Sequence, residues 1–571
     1  MNYLAEKNIL VLGLGASGLA LARWCVRCGA QVTVADTRPA PPQLQALQDT
    51  LPGVRFVHSE MNEALFASAA FDLVLKSPGL SPAAVAGVVD AAQARGIARG
   101  NELSLFAQAL ADLKQDRAYA PQVIGITGTN GKTTVTSLTG QLVQKAGKSV
   151  AVAGNIGPTL LDTLAEKLDA ALQAQAEAAE AAKEAEQAES VEVPATAPAP
   201  ESVSPVDEPA QDQVDDADEP ALPLVLPLPA SGEPPPLPAL PAMPQVWVLE
   251  LSSFQLDGVS NFEPTVATVL NVTQDHLDWH GTFAAYAAAK NRIYGNGLML
   301  LNRDDPLVMA ALPPPAPVTR GKQAPPRPYL TFGSDAPQRP GDYGIETVNG
   351  MAWLVRAAEA DETVKRRKDE EVVLHIQRLM PLDALRIHGR HNATNALAAI
   401  GLAMAAGCNL APMLHGLREY RGEPHRVESI AVVRDIEYFD DSKGTNVGAT
   451  AAALAGLGAE RKLVLILGGE GKGQDFSPLA GPVARYARAV VLFGRDAPLI
   501  RSALQDASVP LLDATSMQEA VQIASRQAQT GDAVLMSPAC ASFDMFDNYE
   551  HRARVFGEAV QALAHEEGTV L

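Results

Sequence analysis

The amino-acid sequence predicts an α/β fold of three doubly wound, Rossmann-like domains. Near the start of the chain, a strand-like run, a helical run and a second strand-like run follow one another: "NILVLG", "ASGLALARWCVRCG" and "QVTVAD". Near its end the pattern returns with "KLVLILGG", "RAVVLFG" and "DAVLMSP", separated by alanine-rich helical runs. Alternating strands and helices are typical of parallel sheets with helices on both faces. At 571 residues, the chain is also too long for one hydrophobic core.

The first nucleotide-binding candidate is "GLGASG" (13–18), which follows a strand and opens a helix. Its glycines allow a tight turn and the close approach of a phosphate to the helix N-terminus. Asp36 ends the next strand, where an acid that binds a ribose would lie. The motif alone makes a nicotinamide dinucleotide the first candidate ligand. The same turn can hold any nucleotide diphosphate, or serve as a tight turn without a ligand.

A second loop, "GITGTNGKTT" (125–134), resembles a P-loop in a variant form. Gly131, Lys132 and Thr133 match the end of the common motif, but Ile126 stands where its first glycine is expected. Backbone amides of 128–131 would hold phosphates, Lys132 would neutralise them and Thr133 would reach Mg²⁺. Glu250, at the end of the apolar strand "VWVLE", is a candidate for a second metal contact. Two nucleotide loops argue against a simple dehydrogenase, because one could bind a nucleotide-carrying substrate while the other uses ATP.

The composition of residues 170–244 predicts a disordered insertion inside the central domain. This segment has 15 Asp and Glu, one Lys, 15 of the 42 prolines and no aromatic residue. Such a composition cannot bury enough apolar surface to offset the entropy lost on ordering. The strands "QVIGITG" and "VWVLE" on either side both look like buried parallel strands of one domain. We therefore expect few native contacts from the insertion, which could be an inert spacer or a tether for an unknown partner.

Composition and cysteine usage indicate a cytoplasmic protein. Cys25 and Cys28 fit one face of a helix, and the four cysteines form neither a disulfide framework nor a complete zinc site. The chain has no apolar run of 18 residues, and Glu6 and three glycines make its start a poor signal peptide. The net charge is −21, of which −14 belongs to the insertion. We expect a monomer with no nucleic-acid partner and no membrane insertion.

The motifs together resemble those of the Mur ligases and occur in the order of that family: "TGTNGKTT", "GNIG", "ELSSFQL", "NVTQDHLD", "YAAAKNRIY", "GRHNATNALAA", "PHR", "DDSKGTN" and "GGEGKGQDF". The resemblance implies an ATP-dependent amide ligase of peptidoglycan precursor synthesis that works through an acyl phosphate. "GLGASG", "DTR" (36–38) and "SPACASFDMFDNYEHR" (537–552) are most similar to members that add D-glutamate to UDP-N-acetylmuramoyl-L-alanine. The alternatives are a related Mur or folylpolyglutamate-type ligase that uses another amino acid, and a nicotinamide-dependent oxidoreductase, which would not explain the P-loop.

The resemblance also implies three domains: a UDP-substrate domain (1–112), a central ATP-binding P-loop domain (113–422) and a domain that binds the amino acid (423–571). The implied catalytic residues are Lys132, Lys290, His276 and Glu250. The implied Mg²⁺ ligands are Thr133, Glu250, His276 and Lys290 as a carbamate. ATP contacts are expected from Gly128, Thr129, Asn130, Gly131, Lys132, Thr133, Thr134, Asn392, Asn395, Arg426 and Asp441. UDP-substrate contacts are expected from Ala16, Ser17, Asp36, Thr37, Arg38, Gly79, Asn155, Ser252 and Gln255. D-glutamate contacts are expected from Lys443, Thr445, Lys472, Ser542, Phe543 and Tyr549.

Overall fold

Three large sheets follow one another along the chain, which confirms the predicted α/β class. The protein is described here by a computed structural model. It describes residues 2–67, 69–191, 237–314, 326–360, 373–459 and 461–568. None of the helices in these ranges is long and apolar enough to cross a membrane.

The N-terminal sheet has five parallel strands in the order β3-β2-β1-β4-β5. Its strands are β1 (Asn8–Leu12), β2 (Gln31–Asp36), β3 (Arg55–His58), β4 (Leu73–Lys76) and β5 (Ala98–Gly100). Its helices are α1 (Ala16–Arg27), α2 (Leu44–Thr50), α3 (Pro82–Ala94) and α4 (Glu102–Arg117). The strand order reverses beside β1, so a crevice for a ligand is expected at the carboxyl end of that strand. "GLGASG" follows β1 at this point.

The central sheet has six parallel strands in the order β11-β10-β9-β6-β8-β7. They are β6 (Gln122–Thr127), β7 (Val150–Gly154), β8 (Val246–Glu250), β9 (Val266–Val269), β10 (Leu298–Asn302) and β11 (Tyr329–Phe332). The helices between them are α5 (Lys132–Lys145), α6 (Leu160–Val191), α7 (Ser253–Leu256), α8 (Leu277–His280), α9 (Phe283–Asn291) and α10 (Pro306–Met309). Strand β6, which leads into the P-loop, lies between β8 and β9, so their carboxyl ends surround that loop.

A small antiparallel sheet completes the central part of the chain and was not predicted. It contains β12 (Tyr343–Val348), β13 (Met351–Glu359) and β14 (Leu374–Pro381), and the helices α11 (Arg390–Ala405) and α12 (Leu410–Glu419) follow it. Helix α11 packs against α5. This contact carries the "GRHNATNALAA" motif to the P-loop helix.

The C-terminal sheet has the order β15-β16-β20-β17-β18-β19, with only β15 antiparallel. Its strands are β15 (Glu428–Val433), β16 (Ile436–Asp440), β17 (Leu463–Gly468), β18 (Ala487–Phe493), β19 (Leu511–Asp513) and β20 (Ala533–Met536). Its helices are α13 (Val447–Gly458), α14 (Ala480–Tyr486), α15 (Ala497–Leu504), α16 (Met517–Gln527) and α17 (Tyr549–Glu566). The "DDSKGTN" motif begins at the end of β16, at the carboxyl edge of the sheet.

The predicted limits of the disordered insertion, 170 and 244, are wrong, because ordered residues lie just inside both of them. Helix α6 continues to Val191 and buries Ala171, while Leu240 and Met243 are buried in the same core. The Tyr119 hydroxyl also donates to the carbonyl oxygen of Pro244 at 2.6 Å. The composition averaged over 75 residues concealed these few apolar side chains, which pack against the hydrophobic core of the neighbouring helices and strands. Residues 192–236 lie outside the described residues, and their disorder stays a prediction.

Helix α4 joins the first two sheets. It contains the predicted domain boundary at 112, and its Phe106 ring packs edge-on against Trp247 of β8, with 5.2 Å between ring centroids. Asn101, which caps this helix, donates from its side chain to the carbonyl oxygen of Gln255 at 2.9 Å. Cys25 is buried in α1, Cys28 is the C-cap residue of that helix, and all four cysteines are free. The limits of the three domains stay a prediction.

Candidate active site

The P-loop is held in shape by residues that follow β9. The backbone amide of Thr129 donates to the carbonyl oxygen of Asn271 at 2.9 Å, and the amide of Asn130 donates to the Asn271 side chain at 2.8 Å. Gly131 adopts φ +82° immediately before α5, a conformation that favours glycine. Helix α5 therefore begins at Lys132 with its N-terminal amides directed at the loop, an arrangement that suits a phosphate.

Two lysines meet on the same loop carbonyl. The Nζ atoms of Lys132 and Lys290 each lie 2.9 Å from the carbonyl oxygen of Gly128. Lys290 is 1% exposed, and its Nζ also lies 4.5 Å from the centre of the Tyr286 ring. Burial, reinforced by the positive charge of Lys132, lowers the pKa of Lys290 well below its ordinary value. The ammonium form of Lys290 is therefore less favourable here than that of an ordinary surface lysine.

Glu250 lies beside the P-loop because of the strand register. Strands β6 and β8 pair Ile126 with Glu250, so the carboxylate emerges next to the loop. Its Oε1 accepts a hydrogen bond from Asn155 Nδ2 at 2.9 Å, whereas its Oε2 is buried and has no hydrogen-bond partner. A buried carboxylate oxygen without a donor suits a divalent cation. The residues present therefore fit the Mg²⁺ site implied by the sequence.

His276 lies at the rim of the same site. It precedes α8 with φ +53°, and its Nε2 lies 3.6 Å from Asp275 Oδ2. Its ring packs edge-on against Phe254, with 4.7 Å between ring centroids. Partial removal from water lowers the pKa of His276, against the opposing charge of Asp275. A neutral imidazole is the form that binds a metal ion.

A cleft of about 930 Å³ brings most of the predicted catalytic and amino-acid residues together. It opens between the central and C-terminal sheets, so one wall carries the P-loop and the other carries cationic side chains of the C-terminal part. The predicted residues that line it are Thr129, Asn130, Gly131, Lys132, Thr133, Asn155, Glu250, His276, Arg426, Lys443, Thr445, Lys472 and Tyr549. Lys290 is buried and does not line the cleft. Ser542 and Phe543 do not line it either.

A smaller cavity of about 120 Å³ adjoins the P-loop and gathers most of the other predicted ATP residues. Thr134, Asn392, Asn395 and Asp441 line it, Arg426 lines both cavities, and Gly128 lines neither. Burial raises the pKa of Asp441 to about 7, against the hydrogen bond that its carboxylate accepts from Ser537. The two asparagines come from one face of α11, which explains their spacing of three residues in the sequence.

Two contacts connect the P-loop to the C-terminal part of the chain. Asn130 and Asn446 exchange side-chain amide hydrogen bonds of 3.3 and 3.0 Å. Arg426 Nη2 donates to the hydroxyl of Thr133 at 2.5 Å. The two walls of the cleft are therefore in direct contact.

The loop "GLGASG" folds as its glycines predict. A β-carbon on Gly18 would lie 2.0 Å from the carbonyl oxygen of Gly13, so only glycine fits there. Asp36 is 2% exposed; it accepts hydrogen bonds from the amide of Leu14 at 2.7 Å and from the amide and guanidinium of Arg38 at 2.8–2.9 Å. These bonds hold the loop, Asp36 and Arg38 as one unit at the carboxyl end of β1.

The predicted UDP-substrate residues occupy two places. Ala16 and Ser17 start α1, and Thr37 and Gly79 follow β2 and β4, so this group belongs to the N-terminal sheet. Ser252 and Gln255 form a capping box on α7, beside the central sheet. Asn155 belongs to this second group and is the member that lines the 930 Å³ cleft. The N-terminal group lies outside that lining.

Several residues within the quoted motifs were given no role from the sequence. Asn271 and Asn446 organise the P-loop, as described above. Arg552 is fully buried and donates to the carbonyl oxygens of Cys540 at 3.1 Å and Ser442 at 2.8 Å. It thereby joins the two loops that carry the predicted amino-acid residues. Its only sequence signal was its place at the end of "SPACASFDMFDNYEHR".

Three family models together match most of the chain. They are a MurD-like N-terminal domain over 7–99, the Mur ligase middle domain over 126–199 and 239–403, and the glutamate ligase domain of Mur ligases over 425–540. The chain belongs to the Mur ligase family. The resemblance inferred from the motifs is therefore confirmed.

Relatives of this Mur ligase match it from end to end. It is 56% identical to the UDP-N-acetylmuramoylalanine–D-glutamate ligase of a Polaromonas species, over 100% of both chains. It is 57% identical to the enzyme of that name from Albidiferax ferrireducens, over 100% of this chain and 98% of the relative. The MurF ligase of Thermotoga maritima, solved in complex with ADP, is 14% identical, with a TM-score of 0.51 over 98% of this chain and 97% of that one. This last likeness supports the three-part fold alone.

Proposed function

We propose that this Mur ligase uses ATP to join D-glutamate to the alanyl carboxylate of UDP-N-acetylmuramoyl-L-alanine, in the cytoplasm and as a monomer. The observation that supports this most is the shared cleft. The P-loop and Glu250 lie on one wall, and Lys443 and Lys472 lie on the other. Full-length relatives at 56–57% identity carry the name of this activity.

The first step transfers the γ-phosphoryl group of ATP to the substrate carboxylate. Both groups are anionic, so their approach needs cations that cancel the repulsion. Lys132, Arg426 and the N-terminus of α5 face the place where the phosphates would lie. The product is an acyl phosphate, with ADP as the leaving group.

Mg²⁺ would be held by Thr133, Glu250, His276 and a carbamate on Lys290. When bound, it would neutralise phosphate oxygens. The unpartnered Oε2 of Glu250 supports this assignment, and the low pKa of Lys290 favours the neutral amine that reacts with CO₂. The carbamate would be negatively charged and could bind a cation, whereas the unmodified amine of Lys290 carries no negative charge.

The second step is the attack of the amino-acid amine on the acyl phosphate. Lys443 and Lys472 provide point charges for the carboxylates of D-glutamate. Lys443 Nζ lies 3.7 Å from the centre of the Tyr549 ring, which holds it at the cleft wall. Closure of the cleft around both ligands would keep water away from the acyl phosphate.

The test is ADP release by the purified full-length protein. UDP-N-acetylmuramoyl-L-alanine with D-glutamate should give rapid release, and L-glutamate should give little. A panel of other amino acids tests the alternative of a related ligase. Release with a different amino acid, and none with D-glutamate, would overturn the substrate assignment. Binding of a reduced nicotinamide, followed by fluorescence, would support an oxidoreductase and is expected to be absent.

A further inference from the structure

The imidazole of His425 lies between two cavities. One is the 930 Å³ cleft, and the other is a cavity of about 320 Å³ behind it. His425 lines both, whereas Asp440 lines only the smaller one. His425 Nδ1 lies 2.7 Å from Asp440 Oδ2. Nε2 therefore takes no part in the contact with Asp440, and the His425 side chain is shared by the cleft and the smaller cavity.

Asp440 is fixed as a hydrogen-bond acceptor. It is 3% exposed, and its Oδ1 accepts from the amide of Ser442 at 2.9 Å and from the Ser442 hydroxyl at 2.5 Å. Its Oδ2 therefore accepts from His425 Nδ1, which assigns the ring proton to that nitrogen. Nε2 is then the unprotonated nitrogen, able to accept a proton from the cleft. A carboxylate in this position also stabilises the imidazolium that forms.

The ring lies next to the residues assigned to the amino acid. The His425 ring is 6.2 Å from that of Tyr549, over which Lys443 Nζ lies. The backbone amide of Lys443 donates to the carbonyl oxygen of His425 at 3.1 Å. An amino acid whose carboxylates are bound by Lys443 and Lys472 would thus present its amine near His425.

We propose that His425, positioned by Asp440, removes the proton that the attacking amino acid must lose. This rests on the proposed function, in which the amino acid enters as an ammonium. One proton passes from the ammonium to Nε2, and the amine lone pair forms the bond to the acyl carbon. The bond from that carbon to the phosphoryl oxygen then breaks, and phosphate leaves with its electron pair. The second N–H proton passes to the departing phosphate, which completes the amide.

Glu428 offers a contrast within the same group. One ligand atom each from His425, Glu428 and Asp440 lies within 4.8 Å of the others, as in a metal site. However, Glu428 is exposed, and its carboxylate accepts from the backbone amide of His425 at 2.9 Å. A base requires only His425 and Asp440, whereas a metal centre requires all three.

The test compares two nucleophiles. Hydroxylamine is largely unprotonated at neutral pH and needs no base, so it should capture the acyl phosphate as a hydroxamate. In the full-length His425→Gln variant, amide formation with D-glutamate should fall by roughly 10²–10⁴-fold. Hydroxamate formation from UDP-N-acetylmuramoyl-L-alanine and ATP should stay within a few-fold of the wild-type rate. An equal loss with both nucleophiles would overturn the proposal, because the variant would then fail before the amine attacks.

Two further variants keep the test independent of folding. Asp440→Asn would donate to Nδ1 and move the ring proton to Nε2, so it should lose amide formation selectively as well. Glu428→Gln keeps an oxygen for the His425 amide and should retain both activities. Loss of amide formation in Glu428→Gln equal to that in Asp440→Asn would contradict the proposal and favour a metal centre. Failure of the wild-type protein to form either product would instead refute the proposed function itself.

Discussion

Lys132 and Lys290 donate to one and the same acceptor, the carbonyl oxygen of Gly128, each at 2.9 Å. Two ammonium groups this close repel each other, and burial removes the water that would screen them. Burial lowers the pKa of both lysines, and for Lys290, where the charge of Lys132 adds to the effect of burial, the pKa is well below its ordinary value. The ammonium form of Lys290 is therefore disfavoured, mainly by burial and further by the charge of Lys132, which supports the proposed carbamate.

Replacement of Lys290 should remove the proposed carbamate and with it the activity. We expect Lys290→Ala to be nearly inactive and partly restored by small carboxylic acids such as acetate, because the carbamate acts as a carboxylate. ¹³C NMR in labelled bicarbonate should show a carbamate signal that this variant lacks. The matched control is Lys145→Ala, a surface lysine paired with Glu419. Wild-type turnover in Lys290→Ala would rule the carbamate out.

Substitutions of Lys132 and Asp36 should affect different ligands, because Lys132 follows a strand of the central sheet and Asp36 ends a strand of the N-terminal sheet. Lys132→Ala should lower kcat by at least about 10²-fold while leaving binding of the UDP substrate almost intact. Asp36→Ala should raise the KM for the UDP substrate and affect the KM for ATP less. Steady-state kinetics and calorimetric titration of each ligand measure both effects. An equal loss of UDP-substrate affinity in the two variants would mean that the sites are not separate.

Asp36 should also make folding stability depend on pH. Burial alone would raise its pKa, but the hydrogen bonds from Arg38 and the Leu14 amide outweigh this and lower it to about 2, from an ordinary 3.8. Because the folded-state pKa is depressed, the stabilisation is complete above about pH 4 and is lost as the pH falls toward about 2. It corresponds to about 2 kcal/mol at neutral pH.

Urea denaturation of Asp36→Asn at several pH values measures this contribution. The variant should be less stable than the wild type by about that amount at pH 7, and the difference should shrink between pH 4 and pH 2. Asp49→Asn, at an exposed position of α2, should change stability little at any pH. A constant difference down to pH 2 would show that the loss in Asp36→Asn comes from packing and not from charge.

The segment between α6 and β8 should be dispensable only in its middle. Replacing 180–236 with a six-residue glycine-serine linker should leave turnover and melting temperature close to wild type, because residues 180–184 are exposed. Leu240→Ala in the full chain should instead cost about 2–5 kcal/mol, because the side chain is buried in the core. Thermal melting measures the stability of both variants, and ADP release measures their turnover. A large loss in the linker variant would show that the removed residues contact the catalytic body.

Much of the active site could be predicted because its residues lie in short motifs at the ends of strands. Glu250 and the P-loop end neighbouring parallel strands, and parallel strands bring their carboxyl ends to one edge of a sheet. Asn392 and Asn395 share a helix face for the same kind of local reason. Arg552 and Asn446 received no role, since each has a partner far away in the sequence: the Ser442 carbonyl oxygen for Arg552 and the Asn130 side chain for Asn446. A local sequence pattern does not predict contacts between such distant segments.

The sequence by itself determined the α/β class, the family and the identity of the residues around the P-loop, because these depend on periodicity and on contiguous motifs. Only the tertiary structure decided which groups share an environment. It brought the Lys290 amine into hydrogen-bonding distance of the Gly128 carbonyl oxygen and left Glu250 Oε2 without a hydrogen-bond partner. It also paired the His425 ring with the Asp440 carboxylate. It also ordered the ends of the insertion, where Ala171, Leu240 and Met243 find a core. Burial and charge proximity arise from packing between distant segments, and composition averages cannot contain them.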